Sequence, residues 1–132
     1  MYLKNGREKD WLVFEDKFKQ IVKELKPDCY KYFIIIPHES QVTHNYFDNT
    51  KSIGAQIRSP IFDISSDEFT LYNKLYELCN NLNFQVIDPL PCFRLDVNKD
   101  HLYYANDPHL CSKGDQLLAR LLLNTINPQT NV

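Results

Sequence analysis

Apolar residues return at intervals of three and four near the start of the chain. The series begins at Trp11-Leu12-Val13-Phe14 and continues through Phe18, Ile21, Val22 and Leu25. This spacing marks one face of a helix from about Asp10 to Lys26, with an aromatic stripe suited to packing on a sheet. Asp10 can cap its start and Pro27 fits its end. A second series, Phe69, Tyr72, Leu75, Tyr76, Cys79 and Leu82, follows Ser65 and Glu68, which have capping-box spacing. Its Asn80-Asn81-Leu82-Asn83 end is a helix stop. The last series is Leu117, Leu118, Leu121, Leu122 and Ile126, on a helix from about Lys113 to Ile126 with Ser112 and Asp115 as a capping pair.

Two continuous apolar runs stand between these helices. Tyr32-Phe33-Ile34-Ile35-Ile36 ends at Pro37, and Phe84-Gln85-Val86-Ile87-Asp88 ends at Pro89. Short unbroken runs suit strands buried on both faces, as in a parallel sheet covered by helices. A strand, a crossover with a helix and a second strand make a right-handed βαβ unit. The fold class is therefore α/β. Thr43 to Ile64 shows no sustained period, Pro91 to His101 is expected to be a loop with a short apolar turn, and residues 127–132 should fray.

Composition adds bounds. The 132 residues are enough for a single domain, and 43% hydrophobic with 24% charged content is that of a globular protein. A formal net charge of -2 argues against a nucleic-acid binder steered by a basic face. No apolar run has the length of a transmembrane helix, and the polar stretch Met1 to Asp10 lacks the apolar centre of a signal peptide. Cys29, Cys79, Cys92 and Cys111 form no C-x-x-C pair, so reduced, structural thiols are expected.

The candidate chemistry lies in Asn106-Asp107-Pro108-His109-Leu110-Cys111-Ser112-Lys113-Gly114-Asp115. Pro108 pushes Asp107 toward an extended conformation, which would set Asp107 and His109 on one side of the chain. A carboxylate beside an imidazole can fix its tautomer and stabilise its charged form. Leu102-Tyr103-Tyr104, then Asp107-Pro108-His109-Leu110 and Gly114, resembles the Asp/His block of the SGNH (GDSL-like) hydrolases and acyltransferases. The nearest branch is the alginate-type O-acetyltransferases. Gly6 with Trp11-Leu12, Ile34 to Pro37 and Val86-Ile87-Asp88-Pro89-Leu90 are also similar to segments of that family.

The resemblance implies a three-layer α/β/α flavodoxin-like sheet, incomplete in this chain, so that residues 1–132 are a single, partial domain. It implies His109 and Asp107 as two members of a Ser-His-Asp triad, with substrate contacts from Tyr104 and from His38 in Pro37-His38-Glu39-Ser40-Gln41-Val42. In that segment a lysine is common where His38 and Glu39 stand. The substrate class would be an acylated small molecule or carbohydrate, with neither cofactor nor metal.

The family's Gly-Asp-Ser block is missing, for none of Gly6, Gly54 and Gly114 precedes Asp-Ser. The nucleophile is then expected outside this chain, in a missing half with which the chain associates, or the chain associates with itself. A non-catalytic relative that keeps the cleft for binding or assembly is the alternative. Two further arrangements are chemically conceivable: a Cys111–His109 pair, and a metal held by Asp107, His109 and Cys111 or His101. The second matches no known ligand spacing.

Overall fold

A computed structural model describes residues 8–52, 54, 70–105 and 107–127. The described elements are α1 (Glu8–Lys23), β1 (Tyr32–Ile34), α2 (Glu39–Val42), α3 (Asn45–Ser52), α4 (Thr70–Asn81), β2 (Gln85–Ile87), α5 (Leu90–Leu95), a 3-10 turn (Lys99–His101) and α6 (Ser112–Ile126). The protein is thus mixed α/β. Its chain divides into two compact units, Met1–Phe33 with Ile64–Val86, and Ile34–Asp63 with Ile87–Val132. Gly6, the Ser65/Glu68 capping box, Phe69, Asn106 and the tail after Asn127 lie outside the described residues.

In the first unit, the aromatic stripe of α1 is the organising feature. Trp11 is buried and its ring lies 5.4 Å from that of Phe14, which stacks on Phe18 at 5.8 Å. Phe18 then meets Phe33 edge-on at 5.5 Å and Phe84 at 5.3 Å. Ile21, expected on the same face, is exposed. Positions 11, 14, 18 and 22 hold the stripe, and position 21 falls one residue off it. On α4, Leu75 and Cys79 are buried as the periodicity implies, and Leu78 joins them. The α4 stop is a Schellman motif: Asn83 has φ 57°, its amide donates to the Asn80 carbonyl, and the Phe84 amide donates to Cys79.

β1 and β2 pair as a two-stranded parallel sheet. The Gln85 amide donates to the Lys31 carbonyl at 2.8 Å, and the Ile35 amide donates to the Ile87 carbonyl at 3.0 Å. Burial alternates toward the end of the first run: Ile35 is 8% exposed, whereas Ile34 is 38% and Ile36 57% exposed. The expected two-sided burial is therefore not met at Ile34 and Ile36. A continuous apolar run does not say which of its faces is covered.

The second unit is built on Val42, Leu90, Phe93, Leu102 and Tyr103, with Leu110, Leu117 and Leu118 packed against them. Phe93 comes from α5, a helix where a loop was expected. Pro89 and Pro91 allow a helix start because its first amides need no partner within the helix. Asp88 closes the preceding turn, its carboxylate accepting the Leu90 amide at 2.9 Å, in line with a strand-end turn residue. α3 lies in the aperiodic stretch after Thr43, and its polar sequence hides it. The α6 start also differs from expectation: Cys111 occupies the cap position without a capping bond from its side chain, and the Ser112 hydroxyl instead accepts from Gln116 Nε2.

Gly114 on α6 is required by packing. A Cβ there would overlap the Leu102 carbonyl oxygen and stand 2.9 Å from Leu110 Cδ2.

Candidate functional site

Tyr103 and Leu110 form an isolated antiparallel bridge. Around it the Tyr104 amide donates to the His109 carbonyl at 3.1 Å and the Cys111 amide donates to the Leu102 carbonyl at 2.9 Å. The chain between them must turn back within a few residues. Asp107 makes that turn: its amide donates to the Tyr104 carbonyl, and its Oδ1 accepts the His109 amide at 2.9 Å. A carboxylate accepting an amide two residues on is an Asx-turn, which Asp forms readily.

The same Oδ1 meets His109 Nδ1 in a short hydrogen bond. The expectation that Asp107 and His109 share a side is met, but by a turn and not by the alternation of an extended segment. The two amide and imidazole donors hold the Asp107 carboxyl below the usual carboxylate range, the backbone hydrogen bond contributing most. Both side chains face solvent, His109 81% and Asp107 49% exposed. With Nδ1 turned to the carboxylate, Nε2 is the ring nitrogen left to meet a substrate or a hydroxyl.

Tyr103 anchors this hairpin from below. It is buried, and its hydroxyl donates to the Pro37 carbonyl at 2.6 Å. Tyr104 points its ring outward and forms part of the wall of a cavity of about 510 Å3, together with Glu39 and Asp100. The expected substrate contact at Tyr104 therefore sits beside the Asp107–His109 turn and on a cavity.

His38 has a different position. Its Nδ1 accepts the Ser40 amide at 3.2 Å and lies 2.9 Å from Ser40 Oγ, while its own amide donates to Gln41 Oε1 at 2.8 Å. His38 is the N-cap of α2, in a reciprocal capping box with Gln41. Partial burial pushes its pKa down. It does not line the cavity.

Among the described residues, no hydroxyl or thiol hydrogen-bonds to the His109 ring. The Cys111 thiol donates instead to the His101 carbonyl at 3.0 Å, so the Cys111–His109 pair is not formed. Nor do three His, Cys, Asp or Glu side chains among the described residues come together in a way that could hold a metal ion. Sequence periodicity missed Glu39, Asn45, Asn49 and Asp100 as cavity residues, since polar residues on short elements without an apolar period carry no such signal. No protein-family model, curated protein or solved structure matches the chain.

Proposed function

We propose that the chain supplies the His and Asp of a Ser-His-Asp triad in an SGNH-like serine esterase or O-acyltransferase, acting on ester-linked acyl groups of a small molecule or carbohydrate. The nucleophilic serine lies outside this chain. The observation that carries the reading is the Asp107 carboxylate on His109 Nδ1, held by a turn whose other bonds leave Nε2 outward. In this mechanism Nε2 takes the serine proton as the hydroxyl attacks the ester carbonyl, and Asp107 offsets the imidazolium charge. The proton then passes to the departing alcohol, leaving an acyl-serine that water or an acceptor hydroxyl resolves.

The three-layer flavodoxin-like sheet belongs to the same proposal. It is supported by the parallel pairing of β1 and β2 on either side of α4 in sequence, and by sheet edges unpaired among the described residues. Unpaired edges recruit strands, so association with the serine-bearing half, or with a second copy, completes the sheet. A non-catalytic relative that binds ligand is the second reading. It is favoured by the cavity walled by Tyr104 and by the strong exposure of His109.

The test is hydrolysis of p-nitrophenyl acetate by the chain alone and by the chain together with its serine-bearing half, each with a His109→Ala counterpart. The chain alone should be silent, and the completed protein should lose about three orders of magnitude or more in kcat with His109→Ala. Activity in the chain alone that disappears with His109→Ala would place the nucleophile within it and overturn the split arrangement. Silence of the completed, folded protein would favour the binding relative.

A further inference from the structure

The cavity beside Tyr104 has chemistry of its own. Among the described residues, Glu39, Asp48 and Asp100 line it with the amide side chains of Asn45 and Asn49, and neither lysine nor arginine does; His101 is the titratable base among them. Asp100 is already engaged, accepting the Thr43 hydroxyl. Glu39 is not. It is only 6% exposed, and its Oε2 is buried with no hydrogen-bond partner among the described residues.

Native proteins rarely leave a buried carboxylate oxygen unsatisfied, because losing water without a replacement donor is costly. Burial raises the Glu39 pKa, the expected consequence of that desolvation. The missing partner is thus a hydrogen-bond donor, and the surrounding acids favour a positively charged one. A hard metal ion would need several oxygen ligands closing on one point, and no three acidic or histidine side chains among the described residues do so. The exposed Tyr104 ring offers a face to an organic cation, and the two asparagines offer donors and acceptors to hydroxyl groups.

We propose that this cavity binds a small hydroxylated organic cation, whose ammonium group is received by Glu39. The terminal torsion of a glutamate is broad, so the carboxylate meets a bound ammonium by rotation about χ3. Asp48, exposed on α3, adds long-range attraction, and Asn45 and Asn49 bind the hydroxyls. The inference does not rest on the triad reading, since none of these residues belongs to it.

The experiment is an NMR titration of the 15N-labelled chain with glucosamine at near-neutral pH. Glucose, which has a hydroxyl in place of the ammonium, is the matched neutral control, and calcium chloride is the metal control. Glucosamine alone should give saturable shifts at Asn45, Asn49 and His101. Glu39→Gln should weaken its binding about tenfold or more, as expected for loss of a charge-assisted hydrogen bond. Should that variant not fold, Asp48→Asn on the exposed wall keeps the test, with an expected loss of about two- to threefold. Equal binding of glucose would overturn the cation assignment, as would shifts from calcium at the same residues. No shifts with any probe, or unchanged affinity in the variants, would overturn the site.

Discussion

His38 shows how a residue's position can give it a role in the fold that its type does not announce. A histidine at the end of a strand is a natural candidate for a cleft, but the Nδ1 acceptor of His38 is spent on the Ser40 amide. That bond requires Nδ1 to be unprotonated, and burial keeps the pKa below the ordinary histidine value. Since the unfolded chain takes up a proton first, the stabilisation is complete above the unfolded pKa of about 6.5. It is lost as pH falls from there through the lower folded value. Denaturant midpoints should therefore drop on acidification through that window. His38→Asn, which keeps a capping acceptor without titrating there, should remove this pH dependence at little cost near neutrality. His38→Ala should cost about 1 kcal/mol at neutral pH. An unchanged pH profile in His38→Asn would sink the assignment. Asp107 is the opposite case, its expected partner and its observed partner being the same imidazole.

Elements with a strong period were legible, and elements held by local capping were not. α1 and α4 follow from aromatic and aliphatic residues at helical spacing, and Asn83 marks the α4 stop because asparagine tolerates the left-handed region. α2 is a single turn whose reason is a capping box centred on histidine, a residue seldom counted as a cap. α3 has only the adjacent pair Tyr46-Phe47, with no apolar residue three or four positions on to declare a face, and α5 hides behind two prolines. The candidate pair was legible through Pro108 and its neighbours, but the cavity was not, because its wall is assembled from α2, α3 and the segment after Asn98. The hairpin under the pair depends on α6 in a way the sequence marks only by Gly114. Since a Cβ there meets the Leu102 backbone, which itself accepts the Cys111 amide, Gly114→Ala should destabilise the chain by about 1–3 kcal/mol. Urea unfolding measures this, and a stabilised variant would contradict the close approach.

At the scale of the whole molecule, no described helix is long and apolar enough to cross a membrane, and the chain carries a small net negative charge. Its two compact units each have their own aromatic anchor, Trp11 with Phe14 and Phe18 in one and Phe93 with Tyr103 in the other. Trp11 is the sole tryptophan of the sequence. Its indole is buried, with the Lys74 ammonium 5.6 Å from the ring centre and the Phe14 ring against it. Emission excited at the red edge of indole absorption therefore comes from the first unit alone, and it should shift to longer wavelength as that unit opens. Circular dichroism reports helices of both units, so the two signals on one sample act as a pair of clocks. Coincident midpoints would mean a single cooperative transition. A fluorescence change that is complete while part of the ellipticity remains would show that the unit bearing Asp107 and His109 keeps its order after the aromatic ladder of α1 has come apart. Trp11 thus makes the chain its own reporter, with no label required.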